Sequence, residues 1–339
     1  MKRNREGSRI SLGSGREFDL IRSFLGPDEV LPNGVNVGPG DDCAVVGPDG
    51  IVVSCDLFLE GVHFRRDWAS FEEIGYRAAA AALSDLAAMA ASPLGVLVAM
   101  GLPREEAEVV GGRIQAGVRG ACEPFQATVL GGDLSSSPGS VVLDLVAIGR
   151  AESPVLRSGA EGGDEIWVTG ALGGSGGAVF VWEGGGEPPP GLREAFVRPT
   201  PRIREARRLA GAVDLHAMID VSDGLMGDAG HLAAASGVRM VLEGYRVPVH
   251  PQLHEVMGSS EEALQMALTG GEDYEVCFTA APGSVDEEIL RSLHDEFGVM
   301  ATKIGWVEEG EGVYLTPEEG TPPQPVAESG FDHFRVRGS

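Results

Sequence analysis

Six short stretches of this chain carry acidic residues beside glycine, serine or an apolar run: Asp41 and Asp42 in "GPGDDCAVV", Asp56 in "VVSCDLFLEGVHF", Asp85 in "LSDLAAM", Asp133 in "VLGGDLSSS", Asp220 and Asp223 in "MIDVSDGL", and Glu272 and Asp273 in "LTGGEDYE". Asp is a poor strand former, and a carboxylate taken out of water without a partner costs several kcal/mol. Each stretch alone reads equally well as a solvated turn. Together they pose the question of a shared cation.

Asp85 is the most informative of them. On a helix its neighbours three and four positions away are Ala81, Ala82, Ala88 and Met89, so the spacing turns Asp85 inward. A buried Asp becomes protonated, hydrogen-bonds a nearby backbone, or holds a cation. Several converging carboxylates repel one another unless divalent cations neutralise them. An all-oxygen set favours Mg²⁺, Mn²⁺ or Ca²⁺ over zinc, and no EF-hand spacing is present. Mg²⁺ commonly brings substrate phosphates with it, and the pairs Gly131-Gly132 and Gly270-Gly271 would let backbone approach a phosphate chain. The residues alone point to a Mg²⁺-dependent enzyme of phosphorylated substrates.

Apart from the helical Asp85, each acidic stretch is expected where a strand ends and a turn begins, the ligand-binding end of α/β sheets. Strand patterns fall at 35–37, 43–46, 51–55, 95–100, 128–130 and 141–149, interleaved with helical patterns near 17–25, 71–91 and 105–121. Asp41 and Asp42, as neighbours in an extended chain, point to opposite sides. A Ser/Pro/Gly-rich stretch near 150–160 marks a boundary between domains 1–152 and 153–339. The second half opens with a Gly-rich turn into a helix, then "EGGGEPPPGLRE", an expected exposed loop, and a helix over 201–210. A strand then enters "MIDVSDG", where Asp220 and Ser222 share a face and Ser222 or Asp223 caps a helix over 225–235. Residues 285–297 form the last helical pattern. This alternation makes the class α/β (α+β).

The chain has 339 residues, 43% of them hydrophobic, and a net charge of −25, which repels nucleic acid. Four scattered cysteines form neither a disulfide framework nor a zinc site, which fits a reducing cytoplasm. The basic N-terminus precedes no apolar stretch, so no signal peptide is expected. Residues 78–100 carry little charge, but Asp85 and the Ser92-Pro93 break predict a buried helix followed by a strand rather than a membrane span. The two lysines, Lys2 and Lys303, do not follow glycine, so a nucleotide would not be held by a P-loop.

The series "GPGDDCAVV", "SCDLFLEGVHF", "LSDLAAMAASPLG", "GGDLSSS", "RSGAEGGDEIWVTG", "RPTPRI", "IDVSDGL", "LTGGEDYEVCFT" and "GFDHF" resembles the thiamine-monophosphate kinase family. The superfamily includes aminoimidazole ribonucleotide synthetase and selenophosphate synthetase, and the motifs run in family order from about Glu17 to Phe334. The resemblance implies a two-domain fold like aminoimidazole ribonucleotide synthetase, with the N-terminal sheet domain at a homodimer interface. It implies transfer of the ATP γ-phosphoryl group to thiamine monophosphate, giving thiamine diphosphate and ADP. Asp42, Asp56, Asp85, Asp220 and Asp223 would hold several Mg²⁺ ions. Gly132, Asp133, Arg157 and Ser222 would contact ATP, with Asp133 also near metal. His63, Glu272 and Phe331 would serve the thiamine side, with a surface histidine and C-terminal packing as the lesser alternatives for His63 and Phe331. The family usually carries Thr where this chain has Cys55, and a thiol does not replace a hydroxyl on a hard cation. The acceptor phosphate has a second pKa of about 6, so no general base is required. The rival readings are another ATP-dependent enzyme of the superfamily and a non-catalytic thiamine-phosphate or nucleotide sensor.

Overall fold

A computed structural model describes residues 11, 13, 15–25, 31 and 33–326. The first half contains α1 (Arg16–Leu25), β1 (Val35–Val37), β2 (Ala44–Val46), β3 (Ile51–Leu59), α2 (Phe71–Ala88), β4 (Ser92–Pro103), α3 (Ala107–Cys122), β5 (Thr128–Ser137) and β6 (Val142–Arg150). The second contains β7 (Glu165–Thr169), α4 (Gly174–Glu183), α5 (Pro190–Val197), α6 (Ile203–Ala210), β8 (Leu215–Asp220), α7 (Leu225–Ser236), β9 (Arg239–Glu243), α8 (Leu253–Val256), α9 (Ser260–Thr269), β10 (Val276–Ala280), α10 (Glu287–Phe297), β11 (Ala301–Glu308), β12 (Gly312–Thr316) and β13 (Gln324–Pro325).

The first-half strands form one sheet in the order β1-β2-β3-β6-β4-β5, the others a second in the order β13-β12-β9-β11-β7-β10-β8. Neighbours are antiparallel except β4 with β5 and β9 with β12. The α/β (α+β) class with two sheet-and-helix halves is what the alternation predicted.

Helix α2 organises the first half. Ser70 accepts from the Glu73 amide while the Glu73 carboxylate accepts from the Ser70 amide, a capping box that starts the helix. Its alanines allow close packing on both the sheet and α3: a Cβ at Gly117 of α3 would lie 1.8 Å from the Glu72 carbonyl oxygen. The alanine-rich segment is therefore a buried helix leading into β4, and among the described residues no helix is long and apolar enough to cross a membrane. Trp68, before α2, stacks on Trp182 of α4 at 5.3 Å, with Phe196 of α5 edge-on to both. Glu73 of α2 also pairs with Arg193 of α5 at 2.8 Å. These contacts join the two halves.

Three expectations need correction. Strand β3 runs to Leu59 because it pairs with β6 over its full length, from Ile51–Arg150 to Leu59–Val142, so Asp56 lies within a strand. Asp133 likewise lies within β5, which follows β4 in register beyond Gly132. Only part of the "EGGGEPPPGLRE" segment is irregular: Pro190 opens α5, where the first-turn amide has no helical partner to lose.

Candidate functional site

Three of the acidic stretches meet beside α2, which packs against strands of both sheets. Asp42 lies in the turn before β2, Asp85 in the last turn of α2, and Asp220 at the end of β8. Ligand atoms of these three carboxylates all lie within 4.8 Å of one another. Asp56 and Ser54 project from the same face of β3, and the Ser54 hydroxyl donates to Asp85 Oδ2.

Burial dominates the electrostatics. It raises Asp85 well above the carboxylate range, with the charges of Asp56, Asp220 and Asp42 adding to the effect. It pushes Asp220 up to about 8, helped by Asp42, and Asp56 up to about 6, helped by Asp144 and Asp42. One guanidinium answers this charge: Arg157 Nη2 lies 2.6 Å from Asp42 Oδ1. Although burial works against the charged guanidinium, Asp42 and its neighbours raise its pKa further.

Three atoms here are buried without a hydrogen-bond partner: Asp42 Oδ2, Asp56 Oδ2 and Arg157 Nε. Two are acceptors and one is a donor. A buried orphan carboxylate oxygen fits a cation, and a buried orphan guanidinium N–H fits an anion. The donor set is all oxygen, which suits a hard divalent ion.

Asp41 does not join the cluster. Its oxygens accept from the amides of Asp42 at 2.9 Å and Arg157 at 3.1 Å, which folds the turn that aims Asp42 inward. Burial, reinforced by Asp42, raises Asp41 to about 7.

The "DVSDGL" turn is built differently from the expected cap. Neither Ser222 nor Asp223 caps α7, whose N-cap is Gly224, with φ 101° and no side-chain bond. Buried Asp228, one turn inside the helix, instead accepts from the amides of Ser222 at 3.1 Å and Asp223 at 3.2 Å. Asp223, Asp228 and His231 form a second close group. Burial, with Arg157 adding, lowers His231 to about 3, and its ring lies tilted against that of Phe18 of α1, centroids 4.4 Å apart.

The Glu272 amide donates to the Ser222 carbonyl at 2.7 Å and the Tyr274 amide to that of Val221 at 2.9 Å, so the "GGEDYE" loop lies directly on the "DVSD" turn. Glu272 and Tyr274 both take positive φ, 56° and 53°, which non-glycine residues rarely adopt. Asp273 is half-buried and accepts from the amide of Gly173 at 2.8 Å, with desolvation raising it to about 7.

Residues 40–151 match the family of AIR synthase related protein, N-terminal domain, and residues 161–317 that of AIR synthase related protein, C-terminal domain. A thiamine-monophosphate kinase of Rhodopirellula baltica is 37% identical over 309 residues, covering 88% of this chain and 91% of that protein. The chain belongs to the thiamine-monophosphate kinase family. Among solved structures, AaThiL complexed with AMPPCP and TMP matches with a TM-score of 0.78 at 30% identity, covering 94% of this chain and 96% of that one. The thiamine-monophosphate kinase from Stenotrophomonas maltophilia K279a matches with a TM-score of 0.73 at 33% identity, covering 91% and 98%.

Not every residue implied by likeness to thiamine-monophosphate kinases joins the central cluster. Cys55 alternates with Ser54 and Asp56, so it faces away; its exposed Sγ lies 3.1 Å from Asp144 Oδ1, and burial raises the thiol to about 11. The ligand role of position 55, doubtful for a thiol, finds no support in this geometry, because the side chain points away from the carboxylate cluster. Asp133 is exposed on edge strand β5, in register with Ala99, which is itself in register with Asp144. Gly132 is required by packing: a Cβ there would lie 1.9 Å from the Val98 carbonyl oxygen. His63 follows β3, and its Nδ1 accepts from the Leu59 amide at 3.0 Å. Phe331 lies outside the described residues.

Sequence reasoning missed Ser54, Asp144 and Asp228. The period-2 relation of Ser54 to Asp56 on one strand was a usable signal for the first. Residues 144 and 228 come close to the site only through sheet pairing and a helix turn.

Proposed function

We propose that this chain transfers the γ-phosphoryl group of ATP to thiamine monophosphate, giving thiamine diphosphate and ADP. Family membership supports this reading, and the single observation that carries it is the trio of orphaned atoms at Asp42, Asp56 and Arg157. Two carboxylates and one guanidinium, each with one buried atom left without a bonding partner, suit a metal–polyphosphate pair better than any neutral ligand.

Asp42, Asp56, Asp85, Asp220 and Asp223 would hold several Mg²⁺ ions, whose charge offsets the repulsion between two phosphorylated substrates. Arg157 and Ser222 would contact the ATP phosphates, together with Gly132 and Asp133. His63, Glu272 and Phe331 would receive the thiamine moiety: Glu272 offers a carboxylate to the aminopyrimidine or the thiazolium charge, and Phe331 a ring face. No side chain need act as a base, because the attacking phosphate oxygen is already ionised near neutral pH. The chain's task is to align two phosphates and exclude water.

The same reading takes residues 1–152 as the ATP- and Mg²⁺-binding half and 153–339 as the second domain. It takes the protein as a cytoplasmic homodimer, without nucleic acid or membrane partners. Edge strand β5 exposes Leu130 and Leu134, and such an edge is commonly covered by a second chain. Solution mass tests this: a monomer overturns the dimer.

Phosphorus NMR of the protein with ATP, Mg²⁺ and thiamine monophosphate tests the activity. Thiamine diphosphate and ADP in equal amounts are expected. ADP with free phosphate, or intact ATP, overturns the assignment of the acceptor.

A further inference from the structure

Among the described residues, Arg77 is the largest side chain under 2% exposed. It projects from the middle of α2, and nothing in the reading above uses it. A Met or Leu would fill the same space without the cost of withdrawing a charge from water. The reason for an arginine must lie in what the guanidinium touches.

Its group is held on several sides. It stacks 3.7 Å from the Phe196 ring centroid and 5.9 Å from that of Tyr274, and Nη1 donates to the Phe196 carbonyl in the last turn of α5. Nη2 forms an ion pair with Glu272 Oε1 at 2.6 Å, outside hydrogen-bond geometry. The two partners of the planar fork sit on different elements, a geometry that a lysine ammonium does not reproduce. Glu272 itself stands on a positive-φ backbone tied to Ser222, with its side chain 31% exposed. The loop fixes where the carboxylate starts, and Arg77 fixes where it ends. Arg77 also stands eight residues before Asp85, about 12 Å along one helix. That single helix therefore spaces the metal-type cluster from Glu272.

We infer that Arg77 is a positioning residue for the acceptor: by fixing the Glu272 carboxylate it sets affinity for the aminopyrimidine–thiazolium substrate and leaves ATP binding alone. This rests on the reading of Glu272 as an acceptor-binding residue.

Steady-state kinetics of the full chain with ATP, Mg²⁺ and thiamine monophosphate test it, using Arg77→Met, Arg77→Lys, Glu272→Gln and the Met/Gln double variant. Glu272→Gln and Arg77→Met should each raise KM for thiamine monophosphate about tenfold, with KM for ATP nearly unchanged. The double variant should be no worse than Arg77→Met, because both changes remove one device. Arg77→Lys should fall between wild type and Arg77→Met. A normal acceptor KM in Glu272→Gln removes the role of Glu272 and the inference with it. A raised acceptor KM in Glu272→Gln, combined with additive effects in the double variant or an equal rise in both KM values for Arg77→Met, overturns the role of Arg77 alone. If Arg77→Met does not fold, Arg77→Lys decides on the same split between the two KM values.

Discussion

Arg157 binds two consecutive aspartates in different ways: its backbone amide donates to Asp41 Oδ2 at 3.1 Å, and its Nη2 pairs with Asp42 Oδ1 at 2.6 Å. The first bond shapes the turn and the second supplies charge. Asp42 is thereby held among Asp85 and Asp220 with one oxygen engaged and the other, Oδ2, unpartnered. The chain has assembled a site that is electrostatically incomplete by itself. Such a site is costly to hold and is well suited to a cation.

Asp85→Asn keeps the size of the side chain and removes its carboxylate. Turnover should fall at least about a hundredfold, the scale of losing a key electrostatic group. Metal-free thermal stability should hold or rise, because a carboxylate raised by burial and by Asp56 is gone. Wild-type turnover would sink the metal-holding role.

Asp41, Asp56, Asp220 and Asp273 are raised to about 7, 6, 8 and 7, from an ordinary value of 3.8. Between the ordinary and raised values the native state binds more protons than the unfolded one, so stability falls as pH rises. Metal-free protein should therefore lose Tm steadily from pH 5 to pH 8. Mg²⁺ added at pH 8 should restore it by preferential binding to the folded state. A flat Tm profile, or no response to Mg²⁺, contradicts this account.

Asp228→Ala leaves the amides of Ser222 and Asp223 without their acceptor inside a half-buried turn. The expected cost is about 2 kcal/mol of stability, with a raised KM for ATP through displaced Ser222. An unchanged KM for ATP would detach that turn from nucleotide binding.

Cys55→Ser should change turnover by less than about threefold, since a thiol is a poor ligand for a hard cation and this one faces Asp144. Loss of activity comparable to Asp85→Asn would instead give position 55 a direct part in the cluster.

Much of the site was legible because local periodicity carried it. Asp85 had to face inward once its helical neighbours were alanines and methionine. Asp220 had to end a strand, and Asp42 and Asp41 had to diverge. Cys55 was not separable from Asp56 by motif alone. Its departure follows from the alternation of a strand that pairing with β6 extends to Leu59.

The order of elements, the α/β class, the buried acidic helix and the identity of the motifs were determined by the sequence alone, because they rest on contacts between residues near one another in the chain. Arg157 with Asp42, Glu272 with Ser222, Asp228 under its turn and Arg77 against Glu272 were decided by the tertiary structure. Three of these four pairings join segments at least 50 residues apart, 115 in the case of Asp42 and Arg157. No periodicity records such a pairing. It exists only once two sheets have closed on α2 and burial has made an unpaired charge too costly to leave.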